Sequence, residues 1–185
     1  MKYVISTELS EQETYLIGSI VSQWGFIENE IFEQTYLSFG EGEELPKSMV
    51  SNAQFSIILD LWLKRVAELQ SSPKREILIG VYDKIKSLSE FRQAIVHSRW
   101  EWDPSARGVI TASRIHNKTI KRVKFNFKGL SEFSTDLGEI RYLIRYPGGL
   151  EDRGEEMNKV RGHLSREFWE AMTPPDPALD SNENQ

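Results

Sequence analysis

The residues whose types and spacing suggest chemistry are Arg92, Gln93 and His97. At about 100° of rotation per helical residue, Arg92 and His97 project roughly 140° apart, with Gln93 between them. A guanidinium, an amide and an imidazole would therefore line one wall of a groove. Imidazole exchanges protons near neutral pH, and guanidinium is a permanent bidentate partner of phosphate. The trio suits phosphodiester cleavage, with His97 deprotonating a ribose 2′-hydroxyl and Arg92 stabilising charge on the phosphate oxygens.

A structural role is the alternative for the same side chains. A histidine in the last turn of a helix is stabilised by the negative end of the helix dipole, whatever its function. Exposure of Arg92 and His97 in a common cleft would favour catalysis. Burial with intramolecular hydrogen bonds would favour the structural role.

A long amphipathic helix must position the trio. It is predicted from about Pro73 to His97, with Ser72 as the N-cap and Pro73 at the first helical position. Its predicted buried stripe recurs every three or four residues and consists of Ile77, Val81, Ile85, Leu88, Phe91 and Ile95.

The segment from Arg92 to His97, followed by Ser98 and Trp100, resembles the signature of the HEPN superfamily. These are small helical domains, many of them metal-independent ribonucleases of toxin–antitoxin and phage-defence systems. The family usually has Asn after the arginine and often Gly after the histidine, where this chain has Gln93 and Ser98. Residues 17–28 also resemble the first helix of some bacterial HEPN-like proteins.

The resemblance implies roles for the trio and a partner. His97 would be the general acid or base, Arg92 the phosphate and transition-state binder, and Gln93 would orient the substrate or His97. RNA would be cleaved through a 2′,3′-cyclic phosphate without a metal or other cofactor. Two protomers would form a homodimer with a composite cleft, and a cognate antitoxin is a further expected partner.

The rest of the chain predicts a mainly α protein, an antiparallel bundle of about five helices. A single domain is expected over residues 1–172, followed by a disordered tail at 173–185. Glu28, Glu30 and Glu33 are interpreted as a solvated face of the first helix. The predicted helices run from Ser10 to about Phe39, over about 55–69, from Pro73 to His97, from Ser134 or Thr135 to Tyr146, and from Glu151 to about Met172.

A basic β-hairpin interrupts the helices at about 109–127. Two strands, 109–115 and 120–127, flank a turn at 116–119. His116 is interpreted as a polar residue of that turn. HEPN-like proteins of this type can carry such an insertion. Lysines that discourage edge pairing are the alternative explanation of its charge. The predicted RNA-binding residues are Arg99, Arg114, Lys121, Arg122 and Lys124.

Charge is distributed unevenly along the chain. The net charge is −5 overall, but residues 1–45 carry −8 and residues 99–128 carry +6. The positive potential therefore follows the trio directly, which suits a polyanionic ligand. The chain has no cysteine and only three histidines, so a His/Cys metal site is not expected. No long apolar run or leader suggests a membrane partner, and a cytoplasmic protein is expected.

Three functions therefore stay open. The first is a metal-independent endoribonuclease of HEPN type. The second is a non-catalytic helical module that binds RNA or protein. The third is an antitoxin or regulatory subunit that uses its acidic N-terminal helix against a basic partner.

Overall fold

The computed structural model describes residues 9–50 and 54–158 and shows a mainly α fold with a three-stranded antiparallel sheet. This confirms the predicted mainly α class with its inserted hairpin. The predicted antiparallel arrangement of the bundle is wrong for two pairs of helices, which run parallel. The elements are α1 Glu11–Leu37, α2 Lys47–Val50, α3 Phe55–Trp62, α4 Lys74–His97, β1 Arg99–Trp102, β2 Val109–His116, β3 Thr119–Asn126, α5 Phe127–Arg145 and α6 Leu150–Asn158.

The chain divides into two compact units, residues 1–148 and 149–185. The second unit begins with α6, whose first turn is acidic, and α6 starts within one residue of the predicted fifth helix. The remainder of that predicted helix, the predicted tail and the N-terminal residues 1–8 lie outside the described residues.

Helix α1 begins as its sequence predicts. The Ser10 hydroxyl accepts a hydrogen bond from the Glu13 amide at 3.3 Å, and the Ser10 amide donates to the Glu13 carboxylate at 2.8 Å. This reciprocal capping box satisfies amide groups that have no partner within the helix. The buried side chains of α1 follow helical spacing and are Ile20, Trp24, Ile27, Ile31 and Thr35.

The predicted start of α4 is wrong by one residue. Pro73 itself occupies the N-cap position with helical φ and ψ of −88° and −4°, and no side chain caps the helix. Its carbonyl accepts the Ile77 amide at 3.2 Å, so the hydrogen-bond ladder begins from Pro73 rather than from Ser72. The predicted stripe is buried at Val81, Ile85 and Ile95, whereas Phe91 is 46% exposed.

Helix α5 begins seven residues or more before its predicted start at Ser134 or Thr135. The Asn126 side chain accepts the Gly129 amide at 2.7 Å and caps the helix directly after β3. Asparagine is a favoured N-cap because its oxygen satisfies an amide of the first turn. Phe127 is therefore the first helical residue rather than the last residue of a strand, and it is 51% exposed.

Helices α1 and α3 run parallel to each other. The ring of Trp24 contacts that of Phe55, and Trp62 Nε1 donates to Gln34 Oε1 at 2.9 Å, so both helices advance in the same direction. Seventeen residues, 38–54, separate the two helices in sequence, so the chain can return toward the start of α1 before α3 begins. A π-helical turn, Leu63–Ala67, extends α3 over most of the predicted second helix.

Helix α4 runs antiparallel to α5. Lys84 Nζ contacts Glu139 Oε2 at 2.9 Å, and farther along α4 the ring of Phe91 contacts that of Phe133, an earlier residue of α5. Helix α5 is parallel to α1, because Gln23 bonds to Ser134 and Gln34 bonds to the Ile144 carbonyl. The end of α4 and the start of α5 consequently lie at the same end of the bundle, where the sheet joins them.

The sheet has the order β1-β2-β3, and its turn is tight. Asn117 and Lys118 both have positive φ, 50° and 61°, which is the geometry of the two-residue turn that matches the twist of paired strands. Strand β1 was not predicted, although residues 99–102 alternate charged and aromatic side chains. Trp100 of β1 packs against Phe125 of β3, with ring centroids 5.6 Å apart.

Candidate functional site

The last turn of α4 presents two of the three predicted catalytic residues to solvent. Gln93 and His97 are exposed, and neither side chain forms a hydrogen bond within the part of the chain that the structure describes. Ser98 has extended backbone angles of −108° and 154°, so the helix stops at His97 and the chain passes directly into β1. His97 therefore lies where a helix end meets a sheet.

Gln93 and His97 line a groove of about 600 Å³ formed by α4 and all three strands, named here the basic groove. Its guanidinium groups outnumber its carboxylates by three to one, and it also holds a second imidazole. Its lining residues are Gln93, His97, Arg99, Glu101, Ser113, Arg114, Ile115, His116, Ile120 and Arg122.

Strand register explains why arginines from distant positions meet in this groove. Ser113 of β2 pairs with Arg99 of β1 on one side and with Arg122 of β3 on the other. Directly paired residues of antiparallel strands share a face of the sheet, so the two arginines flank Ser113. Glu101 is the opposing charge, with its Oε1 3.8 Å from Arg99 Nε.

Three of the five predicted RNA-binding residues, Arg99, Arg114 and Arg122, thus line the basic groove. Lys121 and Lys124 do not line it, although both are exposed on β3. Lys121 pairs with Arg114 on the opposite face of the hairpin from Arg122, because successive side chains of a strand alternate.

Arg92 lies in a different environment from His97. Its Nη2 donates to Glu28 Oε1 at 3.0 Å, and the side chain is 21% exposed. Its Nε is buried and forms no hydrogen bond among the described residues. The guanidinium also lies 6.0 Å from the ring centre of Trp24. Intramolecular contacts between α4 and α1 therefore account for most of its interactions.

The expectation that Arg92, Gln93 and His97 line one wall needs correction. Arg92 lines a second recess of about 750 Å³ between α1, α3 and α4, and Gln93 lines both this recess and the basic groove. Gln93 stands between the two, as the helical spacing predicts, but the ion pair with Glu28 holds Arg92 on the α1 side.

Glu28 is a site residue that the sequence analysis missed. Its carboxylate accepts hydrogen bonds from both Trp24 Nε1, at 2.8 Å, and Arg92. The interpretation of Glu28 as part of a solvated face is therefore wrong. The available signal was its position four residues after the buried Trp24, which places both on the same side of α1.

Ser113 is a second missed residue. The residue lines the basic groove, and its hydroxyl oxygen is buried and has no hydrogen-bond partner among the described residues. Buried hydroxyls normally have partners. Nothing in the sequence distinguishes this serine, because its significance comes from the strand pairing that places it between two arginines.

His116 also lines the basic groove, as the last residue of β2. The sequence analysis treated it as a residue of the turn. It pairs with Thr119, whose hydroxyl donates to the His116 carbonyl at 2.7 Å. The groove therefore has an imidazole on α4 and another at the end of the hairpin.

Lys86 lies at the rim of the second recess and is already paired. Hydrogen bonds with Tyr82, the larger effect, and with Asp60 raise the pKa of this ammonium group above its ordinary value. The recess therefore combines two cations, Lys86 and Arg92, that each have an acidic partner. The basic groove differs, because three arginines there face a single glutamate.

Among residues 9–50 and 54–158, no group of three or more histidine, aspartate or glutamate side chains is arranged to hold a metal ion. None of the helices described is both long and apolar enough to cross a lipid bilayer. Comparison of the chain with protein-family models, with curated proteins and with solved structures found no match.

Proposed function

We propose that this chain is a metal-independent endoribonuclease of the HEPN type, with His97 as its proton-transfer residue. The observation that carries the proposal is the position of His97. This exposed imidazole forms no side-chain hydrogen bond with any residue that the structure describes, and it opens onto a groove that three arginines line. A polyanion bound there brings its phosphates to an acid–base group, which is the arrangement that phosphodiester cleavage requires.

The proposed reaction uses the RNA's own 2′-hydroxyl as the nucleophile. His97 accepts the proton from this hydroxyl while the bond from the 2′-oxygen to phosphorus forms. The bond from phosphorus to the 5′-oxygen breaks, and that oxygen leaves with a proton from solvent or from His97 of the partner subunit in a homodimer. The products are a 2′,3′-cyclic phosphate and a 5′-hydroxyl, so the first step uses neither water as the nucleophile nor a metal.

Arg99, Arg114 and Arg122 would bind the phosphates in this scheme. Guanidinium groups form bidentate hydrogen bonds with phosphate and stabilise the charge that develops on its oxygens. Gln93 would orient the substrate or His97, since its amide lies one helical turn away on the same groove. Lys121 and Lys124 would act outside the groove, on flanking phosphates of a longer RNA.

Arg92 enters the proposal with a condition. Its Nη2 is paired with Glu28, so this nitrogen binds phosphate only when a substrate oxygen replaces the carboxylate. In the proposed homodimer, the second subunit contributes its own trio to a composite cleft. RNA bound in that cleft would then place a phosphate on this side of α4.

A non-catalytic module that binds RNA or protein is the second candidate, and the same ion pair favours it. Arg92 is mostly enclosed, and its contacts with Glu28 and Trp24 are those of a residue that fixes α4 against α1. In this case the basic groove would bind RNA without cleaving it, and His97 would be an ordinary exposed residue.

The experiment that separates the two candidates is cleavage of a random-sequence pool of labelled single-stranded RNA in the presence of EDTA. The native chain is compared with His97→Ala and with Arg75→Ala, an exposed arginine at the other end of α4. Loss of a general acid–base group lowers the rate by about 10²- to 10⁴-fold. We expect the cleavage rate to fall by this factor in His97→Ala and to stay unchanged in Arg75→Ala. The products of the native chain should carry 2′,3′-cyclic phosphate ends.

The contrary result is also informative. If the native chain binds the pool in the basic groove but cleaves none of its members, the ribonuclease assignment fails and the non-catalytic module accounts for the groove. If His97→Ala cleaves as fast as the native chain, the assignment of His97 as the proton-transfer residue fails.

A further inference from the structure

The basic groove ends in two isoleucines that stay exposed although they are paired across the hairpin. Ile115 of β2 and Ile120 of β3 are cross-strand partners, and they are 80% and 59% exposed. They lie on the opposite face of the sheet from Ile110 and Phe125, which are buried in the core.

The isoleucine pair is adjacent to the arginine row. Ile115 and Ile120 lie two residues along their strands from Ser113 and Arg122, and therefore share the same face about 7 Å away. Both isoleucines line the basic groove together with the guanidinium groups of Arg99, Arg114 and Arg122. An apolar surface beside a cationic one complements a ligand that carries an anionic group next to a flat apolar one.

We propose that Ile115 and Ile120 form a shelf, named here the isoleucine shelf, that contacts the face of an unpaired nucleobase while Arg122 and Arg99 bind the adjacent phosphate. The inference rests on the proposed function, since it assigns the ligand of the same groove. In a duplex each base is stacked between its neighbours and presents only its edges. The shelf therefore lets the groove bind RNA where a base is unstacked.

Charge complementarity favours RNA over a second copy of the hairpin on this surface. Residues 99–128 have a net charge of +6, so a second copy of the hairpin would bring like charges together. A polyanion has the opposite charge and, in a nucleotide, an aromatic face next to the phosphate. Apolar and stacking contacts with bases add affinity that is independent of sequence, because every base has such a face.

The test measures binding of three labelled 2′-O-methyl oligoribonucleotides, which lack the free hydroxyl that cleavage requires. They are a mixed-sequence single strand, the same strand with abasic positions, and the strand annealed to its complement. The variant is Ile115→Thr/Ile120→Thr, which keeps β-branched residues in the strands but removes much of the apolar surface. Ile57→Thr, 49% exposed on α3 outside the groove, is the matched control.

We expect the double variant to bind the mixed-sequence single strand about fivefold more weakly than the native chain, the loss of roughly 1 kcal/mol of base contact. Its affinity for the abasic strand and the duplex should not change, nor should any affinity of Ile57→Thr. Arg99→Glu/Arg122→Glu should weaken binding of all three strands, because every one of them carries phosphates.

Several results would overturn the shelf. Equal losses on the mixed-sequence and abasic strands, or no loss on either, would show that the isoleucines do not contact a base. A change in the sedimentation of the unbound double variant would identify the shelf as a contact between copies of the chain. If the native chain binds none of the strands, the proposed function fails together with the shelf. If the native chain binds the mixed-sequence and abasic strands equally well, the shelf is overturned but the proposed function is not.

Discussion

The Nη2 atom of Arg92 donates a hydrogen bond to Oε1 of Glu28 at 3.0 Å, and this contact joins α4 to α1 through two residues that are 64 positions apart in sequence. The same carboxylate oxygen accepts from Trp24 Nε1 at 2.8 Å. Both charged side chains are largely shielded, with 21% and 31% of their surfaces exposed. The ion pair therefore limits how far the Arg92 guanidinium is available to a ligand. Its strength can be measured separately from catalysis.

A double-mutant cycle measures the strength of this contact. Hydrogen bonds between charged partners contribute about 1.5–3 kcal/mol when they are shielded from water. We expect Glu28→Ala and Arg92→Ala each to lower the free energy of unfolding by about 1–3 kcal/mol, with the double variant less destabilised than the sum. Urea unfolding of the four chains gives the coupling energy. Additive losses would mean that the contact contributes nothing to stability.

Glu28→Gln separates a structural from a substrate-binding role of Arg92. The amide oxygen can still accept from Trp24 and Arg92, so the local packing persists, but the guanidinium is no longer neutralised. Under the ribonuclease proposal we expect Glu28→Gln to keep or raise the cleavage rate and Arg92→Ala to lower it. Single-turnover kinetics with saturating enzyme measure the effect. Equal activity in Arg92→Ala and the native chain would restrict this residue to the structural role.

The salt dependence of RNA binding should identify which cations contact phosphate. Each phosphate contact contributes about one to the negative slope of log K against log salt. We expect Arg99→Ala and Arg122→Ala each to reduce the slope by about one on a short oligonucleotide that fills the basic groove. Lys121→Ala, outside the groove, is the matched comparison and should leave the slope unchanged. Equal effects of all three substitutions would contradict the groove as the binding surface.

The carboxyl group of Asp60 should titrate below its ordinary pKa of 3.8. The Tyr82 hydroxyl, which donates to it at 2.6 Å, is the main cause, and the ammonium group of Lys86 adds to the effect. Because the folded chain holds the pKa down, the resulting stabilisation is present above pH 3.8 and is lost as the pH falls through the folded-state pKa.

Carbon NMR of the Asp60 carboxyl measures this shift directly. The titration midpoint should lie below 3.8 in the native chain and move back toward 3.8 in Tyr82→Phe, which removes the hydroxyl donor. The difference in stability between the native chain and Asp60→Asn should also vanish at acidic pH. A native midpoint at or above 3.8 would contradict the hydrogen bond from Tyr82.

Local sequence signals located several elements correctly. The capping box of Ser10 and Glu13 and the spacing of the apolar residues define α1, because both depend only on residues within a few positions of one another. The end of α5 before Pro147 and the turn between β2 and β3 were also predicted for local reasons. Where a single polar residue sets a boundary, the prediction was weaker, as Asn126 at the start of α5 shows.

The sequence by itself determined the mainly α class, the helix that carries Arg92, Gln93 and His97, and the basic hairpin that follows, since each depends on short-range periodicity and charge. Only the tertiary structure decided that Glu28 holds Arg92, and that Arg99 and Arg122 meet on either side of Ser113. Helix packing and strand register bring together residues that are far apart in the chain. These tertiary contacts place His97 and Arg92 in different recesses. Local sequence patterns do not encode such contacts, because they depend only on residues that are close together in the chain.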